Sequence, residues 1–123
     1  MNGRSLWRSF NNAFKGLATA FKTERNFRIH SLAAVVVFFL VFALPFALWA
    51  RFALLLVTVL VLVLELANSS LERLVDLAKP RLHEYAGEAK DLMAASVLLA
   101  SVFALCVGIV IAGPRVIDVV FSL

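Results

Sequence analysis

Four polar side chains share one narrow face of a strongly apolar segment in the middle of the chain. Glu65, Asn68, Glu72 and Asp76 follow thirteen uncharged residues, 52–64, nearly all of them apolar. In a helix that turns about 100° per residue, the last three lie within roughly 60° of Glu65. A carboxylate beside so apolar a run is costly in lipid unless it has a partner or a function. This polar stripe is therefore a candidate functional site.

The residue types of the stripe suit phosphoryl transfer. Mg²⁺ is usually held by one or two carboxylates together with substrate phosphates. A lysine can neutralise phosphate charge, and a further carboxylate can accept the proton of a hydroxyl group. Lys90 and Asp91 stand at the start of the next apolar segment and can approach the stripe. Because the five glycines are scattered and form no phosphate-binding loop, a nucleotide site would be built from helix side chains.

The elements that must carry these residues are membrane helices. The chain is 63% hydrophobic and 16% charged, whereas roughly 25% of the residues in a soluble domain are charged. Segments 31–50 and 92–113 contain no charge at all, and about twenty apolar residues span a bilayer core. The sequence predicts one all-α membrane domain over 1–123, with a surface helix over 5–28 and transmembrane helices over 29–50, 51–78 and 84–112.

The segment before the first span is amphipathic. Its apolar residues recur at helical spacing and its basic and amide residues fill much of the remaining surface, which predicts a helix lying along the membrane interface. The apolar set is Leu6, Trp7, Phe10, Phe14, Leu17 and Phe21.

Basic residues predict the orientation. Six lie in the first thirty residues and four between the second and third spans, whereas the turn near Pro45 has only Arg51 and the tail after Gly113 has only Arg115. The positive-inside rule therefore places the N-terminus and the polar stripe on the cytoplasmic side. The net charge of +4 is thus a topology signal, and nucleic-acid binding is not expected because no separate basic domain exists.

Two further features have structural interpretations. His30, at the start of the first span, is interpreted as an interfacial residue. Small residues recur every fourth position in the third span, a pattern that lets helix backbones approach closely in lipid. They are Ser96, Ala100, Ala104, Gly108 and Ala112. Cys106, the only cysteine, is interpreted as a packing residue.

Three stretches of the chain resemble a known family. FKTERNFRIH, ELANSSLERLVD and EAKD are similar to segments of the small bacterial integral-membrane lipid kinases, the prokaryotic diacylglycerol kinase and undecaprenol kinase family. The resemblance covers about residues 5–112. It implies a homotrimer in the bacterial cytoplasmic membrane, with active sites shared between subunits, and it implies ATP as cosubstrate and Mg²⁺ as cofactor.

The resemblance also assigns roles to individual residues. Glu65 matches the proposed general base, and Glu24 and Glu72 match the metal-binding glutamates. Lipid contacts fall to Glu65 and Arg28. The matching nucleotide-binding set is Asn12, Glu24, Asn68, Glu72, His83, Lys90 and Asp91. His30 stands where the enterobacterial diacylglycerol kinase has a glutamate, and Arg81 and Leu82 replace the acidic and aromatic residues expected before the histidine.

The expected activity is ATP- and Mg²⁺-dependent phosphorylation of a membrane lipid alcohol. The stretch TERNFRIH resembles the undecaprenol kinase branch, so undecaprenol is the favoured substrate and diacylglycerol is the alternative. Two other classes remain open: a small transporter with Glu65 as a proton-relay carboxylate, and a noncatalytic membrane adaptor whose polar stripe joins subunits.

Overall fold

The computed structural model describes residues 3–78 and 83–123, and they form four helices. These are α1 (Gly3–Thr23), α2 (Arg25–Ala43), α3 (Leu48–Ala78) and α4 (His83–Ser122). Helices α2, α3 and α4 are long and apolar enough to cross a membrane. The prediction of an all-α chain with one amphipathic helix and three candidate spans is confirmed. The basic residues predicted for the second connection, Lys79 and Arg81, lie outside the described residues.

The surface helix ends earlier than its apolar periodicity predicts. Glu24 has an extended backbone, with φ −109° and ψ 109°, which separates α1 from α2. Arg28, in the first turn of α2, donates hydrogen bonds to the carbonyls of Phe21 at 2.9 Å and Lys22 at 3.0 Å. Those carbonyls are left without partners when a helix stops. The boundary predicted at residue 28 is therefore wrong, because Arg28 caps α1 from within the next helix.

A proline turn joins α2 to α3. Leu44 is extended, as the residue before a proline usually is, so α2 ends at Ala43 and α3 begins at Leu48. The predicted boundary between residues 50 and 51 is therefore several residues late. Around this turn lies a small apolar core, against which three residues of α4, Val107, Ile111 and Ala112, pack. Its buried members are Val41, Phe46, Ala50 and Leu54.

The last helix is longer than predicted. It continues through Pro114 to Ser122, and not to residue 112, so the predicted end is wrong. A proline removes one hydrogen bond of the ladder, but the turns on either side remain apolar, and only Arg115 and Asp118 are charged among the residues that follow. At 1.5 Å per residue the forty residues extend about 60 Å, which exceeds the roughly 30 Å hydrocarbon core.

The three long helices leave a groove of about 710 Å³ between them. It begins at His30 on α2, passes Thr58 and Val61 on α3, and follows α4 from Ser101 to Ile117. Three of the predicted small residues, Ala104, Gly108 and Ala112, line it.

No other helix of the described chain lies close to Gly108. A methyl group added there would meet no atom of a neighbouring helix within 4 Å. The small residues that line the groove widen it instead, so at Gly108 the interpretation as a site of close backbone approach is wrong for the single chain.

Candidate active site

Glu65 is the one carboxylate side chain that is buried among the described residues. It is 4% exposed and continues the buried face of α3. The preceding buried positions of that face are Ala50, Leu54, Val57 and Val61. Oε1 of Glu65 lies 2.8 Å from Nδ1 of His30 on α2. A buried carboxylate is tolerated when it has such a partner, so the packing of α2 against α3 explains how Glu65 is accommodated.

The contact between Glu65 and His30 is close but is not a completed hydrogen bond. Both atoms are buried, and among the described residues neither has a hydrogen-bond partner of acceptable geometry. The 2.8 Å separation therefore brings the two groups within reach, while the carboxylate oxygen lies off the direction of a ring N–H bond. Oδ1 of Asn68, one turn along α3, is likewise buried and unpartnered within the described chain. Three of the five buried side-chain polar atoms that lack a hydrogen-bond partner among the described residues thus belong to His30, Glu65 and Asn68.

Glu24 is placed beside α3 by the break between α1 and α2. Its Oε1 lies 3.7 Å from Nη2 of Arg73, and the same nitrogen donates to the hydroxyl of Thr23 at 3.0 Å. The side chain of Glu24 is about one-third exposed. This ion pair connects the end of the surface helix to the polar end of α3.

Glu72 faces a different neighbour from Glu24. It lies close enough to Lys90 on α4 to act on its charge, whereas the next residue, Arg73, reaches Glu24. Adjacent helix positions point about 100° apart. In the part of the chain that the structure describes, no three His, Cys, Asp or Glu side chains are grouped to hold a metal ion. A metal site on Glu24 and Glu72 remains a prediction.

Lys90 reaches the polar stripe, as predicted. Its Nζ donates to Oδ1 of Asp76 at 2.6 Å, across the contact between α3 and α4. The pair lies three turns of α3 from Glu65, at the end where Glu72 also lies. A cation and several carboxylates therefore line one end of the helix bundle.

Other predicted residues are not brought into this cluster. Asn12 is exposed on α1, eleven residues before Thr23 and hence about 17 Å along the helix. Arg28 is engaged at the end of α1, and Asp91 is exposed. His83 begins α4, but its side chain lies outside the described residues. Contacts of these four with nucleotide or lipid stay predictions.

Sequence reasoning missed His30 as a site residue. A histidine at the start of an apolar segment is typical of an interfacial position, and that interpretation gave it no partner. Membrane depth could have predicted the contact. His30 lies at the start of the first span and Glu65 near the end of the second, so both lie near the same side of the bilayer. Two ionisable residues at one depth on neighbouring helices are expected to pair.

Comparison with known proteins identifies the class to which this fold and site belong. Residues 11–112 match the family described as prokaryotic diacylglycerol kinase. The chain belongs to this family of bacterial membrane lipid kinases. It is thus a multi-pass membrane protein, and the predicted family is confirmed.

Three relatives illustrate the match. A diacylglycerol kinase of Synechocystis sp. is 44% identical over 101 residues, which are 81% of this chain and 58% of that protein. An undecaprenol kinase of Bacillus subtilis is 31% identical over 89% of both chains. A diacylglycerol kinase of Escherichia coli is 33% identical over 75% of both. The chain therefore spans little more than half the length of the Synechocystis relative.

Proposed function

We propose that this chain transfers the γ-phosphoryl group of ATP to the hydroxyl group of a membrane lipid. The observation that carries this proposal is the 2.8 Å approach of Glu65 to His30 at one end of the apolar groove, on the side of α3 that leads to the charged residues. The groove suits a lipid chain, and the charged end suits ATP. Loss of a proton from the lipid hydroxyl must occur where the two meet, and Glu65 supplies the basic group there.

Diacylglycerol is the lipid that the comparisons favour. The relative with 44% identity and the Escherichia coli relative are both named diacylglycerol kinases, so the preference for undecaprenol drawn from TERNFRIH is not supported as the first choice. Undecaprenol remains the second candidate, because the groove follows α4 over the seventeen residues from Ser101 to Ile117, a rise of about 24 Å. The groove is therefore longer than half of the roughly 30 Å hydrocarbon core of a bilayer. It would accommodate a longer lipid chain.

The carboxylates at the charged end fit Mg²⁺ by their chemistry. Mg²⁺ requires only one or two protein carboxylates when substrate phosphates and water complete its shell. Glu24 and Glu72 would hold it. The ion would neutralise phosphate charge during transfer. Because the first thirty residues and the second connection carry most of the basic residues, we place this end, with ATP, in the cytoplasm.

We expect Glu72→Gln to raise the Mg²⁺ concentration needed for half-maximal activity. Loss of a carboxylate ligand should weaken the metal by about tenfold or more, since even outer contacts of metal sites are worth 10–100-fold. Titration of activity with Mg²⁺ at saturating ATP measures this shift. Glu84→Gln, an exposed carboxylate in the first turn of α4, is the control. An unchanged titration for Glu72→Gln would remove this residue from the metal shell.

We expect Lys90→Met to raise the KM for ATP and leave the KM for lipid unchanged. A hydrogen bond to a charged group contributes on the order of 1.5–3 kcal/mol, which corresponds to about tenfold or more in affinity. Lys15→Met, on the exposed face of α1, is the matched control. If the KM for ATP stayed constant while thermal stability fell, Lys90 would serve only its ion pair with Asp76.

Purified protein supplied with labelled ATP, Mg²⁺ and either diacylglycerol or undecaprenol tests the proposed substrates. We expect labelled phosphatidic acid, with diacylglycerol giving the higher kcat/KM. A higher kcat/KM for undecaprenol would reverse the order of the two lipids. If neither lipid were labelled, the proposed function would be contradicted. The transporter and the noncatalytic adaptor would then be the functions to test.

We further infer that the chain works as an oligomer, a homotrimer by its family resemblance. Along α4 the described side chains of the apolar span are not buried within the chain. Within one chain Glu24 and Glu72 face different neighbours. Both observations support a site completed by a second subunit.

A further inference from the structure

Arg73 on α3 is held beside Glu24 by the last residue of α1. Its Nη2 donates a hydrogen bond to the hydroxyl oxygen of Thr23 at 3.0 Å. That hydroxyl donates in turn to the carbonyl of Thr19 at 2.8 Å, so it uses both its proton and a lone pair. The two hydrogen bonds connect α3 to the last turn of α1 and hold the guanidinium in place independently of Glu24.

The contact between Arg73 and Glu24 is electrostatic and is not a hydrogen bond. Nη2 of Arg73 lies 3.7 Å from Oε1 of Glu24, beyond the usual range for an N–H···O bond. A ligand can therefore bind to the Glu24 carboxylate without breaking a hydrogen bond of Arg73. The positive charge of Arg73 would then remain beside that ligand.

A fixed positive charge at this position acts in opposite directions on two ligands. Mg²⁺ alone is a cation, so the charge of Arg73 opposes its binding to Glu24. The complex of Mg²⁺ with ATP is an anion, so the same charge attracts it. Within the described residues, the hydrogen bond and the ion pair of Arg73 both use Nη2. A guanidinium has five N–H donors, and the others can bind phosphate oxygens.

We propose that Arg73 makes the site select Mg²⁺ that arrives bound to ATP over Mg²⁺ alone. This inference rests on the proposed function, in which Glu24 is a metal ligand. Arg73 and Glu24 are in contact within one chain, so the contact is present whichever subunit supplies Glu72. Because Arg73 acts on binding and not on the reacting atoms, it is a specificity-determining residue.

The test compares two affinities of the purified full-length protein, wild type and Arg73→Met. The first is for Mn²⁺ alone, measured without nucleotide by the electron paramagnetic resonance signal of the free ion. The second is for ATP at a fixed excess of Mg²⁺, measured by equilibrium dialysis without lipid substrate. We expect Arg73→Met to bind Mn²⁺ alone about threefold to tenfold more tightly and ATP about threefold to tenfold more weakly. Both shifts should shrink at about 1 M salt, which screens the charge.

Three further variants separate the charge of Arg73 from other effects. Arg115→Met, exposed on α4, removes an arginine about 37 Å along that helix from Lys90, and both affinities should stay as in wild type. Arg73→Lys keeps the charge and should bind Mn²⁺ alone as weakly as wild type does. Thr23→Val removes the anchor and keeps the arginine, so both affinities should shift as in Arg73→Met, but by less.

The inference is overturned if the two affinities of Arg73→Met do not shift in opposite directions. Weakening of both would make Arg73 a structural support for Glu24, and no change would remove it from the site. If Arg73→Met did not assemble, Thr23→Val would decide by the same criterion. A wild-type protein that binds Mn²⁺ and ATP but labels no lipid would instead contradict the proposed function, so the two failures are distinguishable.

Discussion

Glu65→Gln should assemble normally and lose turnover by about 10² to 10⁴, the range expected when general-base catalysis is removed. Glutamine has nearly the same shape as glutamate and can still hydrogen-bond to the ring of His30, so the buried face of α3 should be preserved. What it lacks is the negative charge. Without that charge the buried side chain, 4% exposed, cannot accept the proton of the lipid hydroxyl. The loss should therefore appear in kcat.

The measurement is a steady-state assay of Glu65→Gln with separate titrations of ATP and lipid, together with its elution volume and melting temperature. Glu88→Gln, exposed on α4, controls for the loss of a carboxylate as such. A fall in stability with normal kcat would make Glu65 a structural partner of His30. Near-wild-type kcat in a stable protein would remove Glu65 from the reaction.

At a Mg²⁺ concentration too low to support either variant alone, mixing Glu24→Gln with Glu72→Gln should restore part of the activity if the active site is shared between subunits. Glu24→Gln and Glu72→Gln each lack one of the proposed metal-binding carboxylates. Random assembly of a 1:1 mixture should give about one quarter of wild-type activity, because a heterologous contact draws each glutamate independently from the two pools. Within one chain, Arg73 reaches Glu24 at 3.7 Å, whereas the charge of the neighbouring Glu72 acts on Lys90. This difference is the reason to expect two chains.

As a control, the two variants carry different affinity tags, and recovery of both tags in one assembly verifies that subunits have exchanged. Each variant assayed alone gives the baseline, and a mixture of wild type with Glu72→Gln shows whether mixed assemblies are active. A mixture of the two variants that exchanges subunits and stays inactive would place both glutamates in the same chain. The role proposed for Glu65 would be unaffected, because its contact with His30 lies within one subunit.

The sequence predicted best those features that depend on the residues of a single helix. The stripe from Glu65 to Asp76 is a property of a single helix, so its spacing alone predicted a shared face. The approach of Lys90 to that stripe followed from two neighbouring spans whose charged ends meet at one membrane surface. The three spans were evident because long uncharged runs have few other structures available to them.

Features that depend on packing between helices were not predictable in the same way. His30 has a partner only because α2 places it beside α3, and hydropathy does not report which helix faces meet. Gly108 looked like a point of close helix contact, yet it opens onto the groove, since a small residue serves either purpose. The helix end predicted at residue 112 failed because a proline in an apolar run can be carried by the turns around it.

Transfer of labelled phosphate from ATP to an extractable lipid, compared between wild type and Glu65→Gln in the same vesicles, tests the central claim most directly. The claim is that the groove and the His30–Glu65 pair form one phosphotransferase site. We expect label in the organic phase with the wild-type protein, dependent on Mg²⁺ and on diacylglycerol or undecaprenol, and about 1% of it or less with Glu65→Gln. Equal labelling by the two proteins, or no labelled lipid from the wild-type protein, would contradict the claim.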